Sequence, residues 1–141
     1  MRYYQSGQNY IVVLAKGEEL FESLGRFAKE VGLHSAWLSG LGGALEAEVS
    51  FYDLDIQRYT RKKFNGPLEI TSLSGDIVQK DGKPFMHVHV TLTDTSFNAI
   101  GGHLIKLIVA GTGEIFVQKL DQKLTRELDE ETGLELLQSV S

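Results

Sequence analysis

No cysteine occurs anywhere in this 141-residue chain. That excludes disulfides, thiolate metal sites and a cysteine nucleophile. It also agrees with a reducing compartment, and a cytoplasmic location is the expectation. Long apolar runs are missing too. The opening "MRYYQSGQNY" lacks the apolar stretch of a signal peptide. "LIKLIVAG", residues 104–111, is interrupted by Lys106 and is far too short to span a bilayer. No membrane partner is expected. Positive charge is in deficit, with 14 Lys and Arg against 19 Asp and Glu, a net charge of −5. Phosphate binding is led by lysine and arginine, so DNA is disfavoured as a partner of the whole surface. The chain shows no nucleophile elbow and no HExxH. It has no internal repeat, low-complexity tract or linker.

What is present is globular. Apolar residues make up 42% and charged residues 23%. The length suits one domain, 1–141, with an acidic tail segment over 121–141. A chain of this size buries about 68–70% of its unfolded surface and needs no covalent staple.

"GEELFESLGRFAKEVG" is the clearest helix. Leu20, Phe21, Leu24, Phe27, Ala28 and Val31 form one stripe at helical spacing. Glu18, Glu19 and Glu22 crowd the positive end of the helix dipole, and Gly32 is a natural stop. Elsewhere the pattern is of strands. "RYYQSGQNYIVVLA" makes two, with a turn at Gly7–Asn9. Ser39 to Gly43 is expected to bend. Leu45, Ala47, Val49 and Phe51 then alternate with Glu46, Glu48, Ser50 and Tyr52. "QRYTRKKF" pairs with that strand, and Pro67 separates it from "LEITSLSGDIVQ". "KDGKP" is a hairpin turn before "FMHVHVTL". "FNAIGGHLIKLIVAG" and "EIFVQKL" follow as two strands, and "DEETGLELL" folds back as a turn or short helix. Turns at hairpin spacing predict an α+β fold: a largely antiparallel sheet with one main helix packed on it. The apolar strand "LIKLIVAG" needs an edge or face covered, which points to self-association.

Three of the four histidines lie in "MHVHVTLTDTSFNAIGGHL", residues 86–104. Strand alternation puts Met86, Val88, Val90 and Leu92 on one face and His87, His89, Thr91 and Thr93 on the other. Imidazoles at i and i+2 start about 7 Å apart and can converge on a cation. With Asp94–Ser96 as the loop, His103 falls opposite His87, their Cβ atoms roughly 5 Å apart. Gly101 then faces His89 and leaves room for a ligand. Slipping the pairing by one residue would send His103 to the other face. Three imidazoles with an open position suit zinc first, then other divalent first-row ions. His87, His89 and His103 are the candidate metal ligands, and a small molecule could join at the metal.

Other candidates carry less. His34 has no partner in sequence and suits a local cap or a surface position. "SGLGG" could present backbone amides, but it has no phosphate-loop lysine. Glu46, Glu48 and Glu69 are possible carboxylates behind the ligands. Arg58, Arg61, Lys62 and Lys63 read best as a solvated strand face or loop.

In order and spacing, "LEITSLSGDI", "HVHVTL" and "GGHL" resemble the Plants and Prokaryotes Conserved (PPC) domain family. The early helix and glycine segment "GEELFESLGRFAKEVGLHSAWLSGLGG" is similar to the corresponding part of that family. The likeness spans roughly residues 3–120. It implies a compact α+β domain that assembles as a homotrimer and carries a metal on the HxH and GGH histidines, here His87, His89 and His103. Plant members follow AT-hooks and act as DNA-associated regulators. This chain has no R-G-R-P hook, so that role does not transfer. Three readings follow: a homotrimeric metal-binding module, a metal-dependent enzyme on a small molecule, and a DNA-binding protein.

Overall fold

A computed structural model describes residues 1–140. Along the chain run β1 (Arg2–Ser6), β2 (Asn9–Ala15), α1 (Leu20–Glu30), β3 (Ala36–Asp53), β4 (Arg58–Lys80), β5 (Lys83–Thr93), β6 (Ala99–Lys119), β7 (Leu124–Leu128) and β8 (Glu135–Ser139). Every strand pairing is antiparallel, in the order β1-β2-β6-β3-β4-β5, with β7-β8 separate. The expected class, antiparallel sheet with one short helix, is the observed one. The sheet, however, closes on itself. The start of β6, Ala99–His103, pairs with β5, and β6 then runs along β3 as far as Lys119. Strands β3, β4, β5 and β6 therefore form a closed ring, and β2 and β1 extend it beyond the far half of β6.

Closing so few strands demands sharp curvature, and the glycines supply it. The expected bend at Ser39–Gly43 is instead the interior of β3. Its register slips against β4 between Gly40 and Gly42, and against β6 between Gly42 and Gly43. Such bulges increase local twist. A Cβ on Gly42 would lie 2.3 Å from the Thr112 carbonyl oxygen. These residues are glycines because two backbones press together there, not because the strand ends.

Two other expected breaks are also bulges. Pro67 does not end a strand, since β4 runs straight through it. The β3 register jumps from Ala44–Leu68 to Glu46–Asn65, so the missing proline N–H falls where no ladder bond is needed. Likewise β6 continues through "GTG". Gly113 pairs with Gly42 and Ala110 with Gly43, leaving Gly111 (φ +64°) and Thr112 without a β3 partner, while Thr112 still pairs with Ala15 of β2. "LIKLIVAG" is thus the middle of an interior strand, with Leu104, Leu107 and Val109 buried. Exposed apolar side chains lie elsewhere, Ile11, Trp37, Leu41 and Phe116 among them.

The helix forms as its stripe predicts. The Glu19 carboxylate accepts from the Glu22 N–H at 2.7 Å, and Gly32 at φ +61° ends the last turn. Leu20, Leu24, Phe27 and Ala28 are buried against the strands. Phe27 meets Tyr3 and Tyr10 edge-on, with centroids 5.1 and 5.2 Å apart. Each such large side chain removed from water contributes about 1.5–3 kcal/mol. The helix start is held to β6 by bonds from Val109 N to Glu18 O (3.0 Å) and from Gly17 N to Val109 O (2.8 Å).

The turn at Asp81–Gly82 has positive φ at both residues, +51° and +71°, the twist that a two-residue hairpin prefers. The acidic segment folds back as a turn, over residues 130–132, and not as a helix. That turn closes the hairpin β7–β8, its loop tied by the Thr132 N–H donating to Asp129 Oδ2 at 2.8 Å. No helix among the described residues is long and apolar enough to cross a membrane.

The Gly42 contact sets a test of this curvature. Its φ of +145° and the 2.3 Å approach both oppose a side chain. Gly42→Ala is expected to lower unfolding free energy by about 2 kcal/mol or more in urea titration. An unchanged midpoint would mean that β3 and β6 do not approach as described.

Candidate metal centre

Strand β5 alternates as its sequence suggests. Val88, Val90 and Leu92 are buried inside, while His87 and His89 project outward, half-buried and exposed respectively. The return strand differs in detail from expectation. His103 pairs with His89 rather than His87, and Gly101 faces Thr91 rather than His89. The loop is five residues, Asp94–Asn98, centred on Ser96. The Asp94 carboxylate organises it, accepting from Ser96 N at 2.8 Å and from Asn98 N at 3.0 Å, with Phe97 at φ +62°. Because the loop grows by two residues, the pairing slips by two, and the pleat keeps His103 on the same face.

The three rings meet. His87 Nε2 and His89 Nε2 are 3.2 Å apart. Ring centroids are 5.0 Å apart for His87–His89, 5.0 Å for His87–His103 and 5.5 Å for His89–His103. One ring nitrogen from each lies within 4.8 Å of the other two. Nitrogens bound at 2.0–2.1 Å to a tetrahedral ion sit about 3.3–3.4 Å from one another. The His87–His89 separation is already close to that edge. The remaining pairs need to close by at most about 1.5 Å, within the reach of an imidazole rotation. The donor set is all neutral nitrogen, which suits a borderline divalent ion.

Behind the histidines stands a pair that sequence reading missed. Asp76 on β4 lies directly across from His87. Arg126 of β7 donates to it through Nε (3.3 Å to Oδ1) and Nη2, and through Nη1 to the Glu135 carbonyl (2.7 Å). Both side chains are buried. The available signal was a lone arginine in phase with Leu124 and Leu128 on one strand face, but its partner lies 50 residues away. Tyr59 tilts against His103 at 5.5 Å and against Tyr52 at 4.7 Å. These rings, Phe85 and the hairpin residues Leu134 and Leu136 enclose a cleft of about 600 Å³ that opens on the histidines.

The other candidates lie apart. Glu46 binds Lys106 at 3.0 Å, and Glu48 sits between Arg61 (3.7 Å) and Lys63 (3.8 Å). Glu69 is exposed at the far end of the β4–β5 ladder, opposite Thr93. His34 is exposed after the helix, and Arg58 and Lys62 are exposed on β4. "SGLGG" is packed between strands and offers no cradle.

Comparison with known proteins agrees with this architecture. A sequence profile of the Plants and Prokaryotes Conserved (PCC) domain matches residues 1–121. The chain is 36% identical to a metal-containing protein from Archaeoglobus fulgidus, covering 94% of each chain with a TM-score of 0.86. It is 34% identical to a candidate DNA-binding protein from Ralstonia eutropha, covering 96% of this chain and 94% of that one, with a TM-score of 0.90. A candidate DNA-binding protein from Bacteroides thetaiotaomicron is 28% identical over 97% and 96% of the two chains, with a TM-score of 0.92. A search among curated proteins gives no match.

Burial pushes the His103 imidazole down to about 4, and His87, His89, Arg126 and Arg61 add to the effect. His87 is lowered by burial and then by Arg126 and His89, against an opposing pull from Asp76. Both are therefore held neutral, the state that coordinates. The unfolded chain takes up these protons near 6.5 and the folded one only lower. Stability from these groups is thus complete above the ordinary histidine range. It falls as pH drops from 6.5 toward about 4. With chelator present, the urea midpoint should fall across that window, and His103→Gln should fall less. Parallel losses in the two proteins would contradict the assignment.

Proposed function

This chain belongs to the Plants and Prokaryotes Conserved (PCC) domain family, and from that premise we propose that it is a homotrimeric module binding one divalent cation per chain through His87, His89 and His103. The observation that carries the reading is the convergence of the three imidazoles, with a 3.2 Å nitrogen–nitrogen separation. The metal-containing relative from Archaeoglobus fulgidus supports it. Zinc is the first choice, because it accepts three neutral imidazoles and tolerates an open fourth position. Self-association finds support on the solvent face of β2, β6 and β3. There Ile11 pairs with Phe116, Phe116 faces Ser39, and Trp37 and Leu41 flank Ser39. Exposures of 38–55% at these four apolar residues make a patch that water leaves poorly solvated. A location in the cytoplasm remains our reading, on the lack of cysteine.

A second reading, a metal-dependent enzyme acting on a small molecule, is favoured by the cleft beside the histidines. DNA binding stands behind both. Two relatives are named for it, yet the net charge here is −5 and Glu48 engages Arg61 and Lys63.

Metal analysis by mass spectrometry should give about one equivalent per chain after zinc loading and desalting. His87→Ala with His103→Ala should abolish uptake without loss of far-UV dichroism. Equal uptake by that variant would place the metal elsewhere and refute the reading. Assembly is checked separately by sedimentation velocity. The expected species has three times the 15.7 kDa chain mass, and Trp37→Glu with Phe116→Glu should dissociate it. A stable monomer of the unaltered chain at micromolar concentration would contradict the trimer.

A further inference from the structure

The cleft beside the histidines has walls of one kind and a charge problem of another. Tyr52 tilts against Tyr59, and Tyr59 tilts onto His103, so an aromatic surface runs continuously into the imidazole cluster. Phe85 lies on the β5 side, and Leu134 and Leu136 close the opposite wall from the β7–β8 hairpin. That hairpin lies beyond residues 1–121, the part matched by the family profile.

The electrostatics point to one sign. Among the described residues, the charged side chains lining the cleft are Arg126 and Glu135, apart from the histidines themselves. Arg126 is committed to Asp76 and the Glu135 carbonyl, and Glu135 is paired with Lys80. Among the described residues, neither the lining carboxylate of Glu135 nor that of Asp76 behind His87 is free of an ion pair. A divalent ion would keep most of its charge there, since Asp76, the carboxylate across from His87, is already held by Arg126. The group best suited to its open position is an anionic oxygen.

We propose that the cleft binds a small carboxylate with an aromatic or similarly flat apolar body. The carboxylate takes the open metal position and the body lies between Tyr59 and the hairpin leucines. This deepens the metal-site reading and rests on it. A cleft of about 600 Å³ is in the range that encloses small organic ligands. Leu136 is 39% exposed, and Tyr59 44%, so both present apolar surface that such a body would cover.

The test uses the full chain loaded with cobalt(II), whose visible absorption reports coordination, and three probes: phenylacetate, acetate and phenylacetamide. Cobalt uptake is measured first by mass spectrometry. Phenylacetate should shift the visible bands and bind at least about tenfold more tightly than acetate or phenylacetamide by calorimetry. The metal-free protein should lose that preference. Leu136→Asp should take up cobalt normally and bind phenylacetate about tenfold more weakly, with acetate little changed. Absence of cobalt uptake would overturn the metal reading and this inference with it. Normal uptake with no preference for phenylacetate over acetate, or equal binding of phenylacetamide, would overturn the inference alone.

Discussion

The pairing of His89 with His103 across β5 and β6 closes the strand ring and aims the third imidazole at the first two. Side chains on paired strands share a face only while the register holds its parity. Val88 and Val90 on β5, with Leu104 on β6, go to the core, so burial of those residues specifies the parity. The Asp94-organised loop then specifies the count within that parity. Gly101 and Gly102 allow the approach. A Cβ on Gly101 would lie 2.3 Å from the Val90 carbonyl oxygen, and Gly102 sits at φ +155°. The site thus comes from the same few contacts that let a four-stranded ring close, and it lies on a rigid ladder rather than a loop.

Two kinds of burial act on that ladder from opposite sides. Inside the ring, apolar side chains from β3 to β6 and the stripe of α1 exclude water. Outside it, the β7–β8 hairpin places Arg126 on Asp76 behind His87. A buried pair of this kind contributes little net stability. Loss of one partner is costly, because an unpaired charge would be left in place. The consequence for the site is positional. The hairpin is pinned over β4, and Leu134 and Leu136 are set as a wall facing the imidazoles. Tyr52 adds a bond from its hydroxyl to the Thr132 carbonyl at 2.8 Å, fixing the hairpin from the β3 side.

What could be read from the sequence was what depends on short-range periodicity. The helical stripe from Leu20 to Val31 and the alternation of "MHVHVTL" each express one element's burial, and both were legible. The segmentation of the long strands was not. Pro67 and the Gly111–Gly113 stretch ordinarily punctuate. Here they sit at bulges that only the partner strand's register defines, so β4 and β6 run further than their composition suggests. The offset at His103 has a similar origin, since a carboxylate capping two amides makes a five-residue loop as good as a three-residue one. The Arg126–Asp76 pair was illegible for a different reason. A contact 50 residues apart leaves no local pattern. The acidic look of the tail concealed two short strands that could be assigned only through what they pack against.

The most direct test of the account is anomalous diffraction at the zinc edge from crystals of the zinc-loaded protein. The account predicts one strong peak per chain, bonded at about 2.0–2.1 Å to nitrogens of His87, His89 and His103, with His103 opposite His89 across the strand pair. A peak bound elsewhere, or His103 turned to the core side of β6, would contradict it.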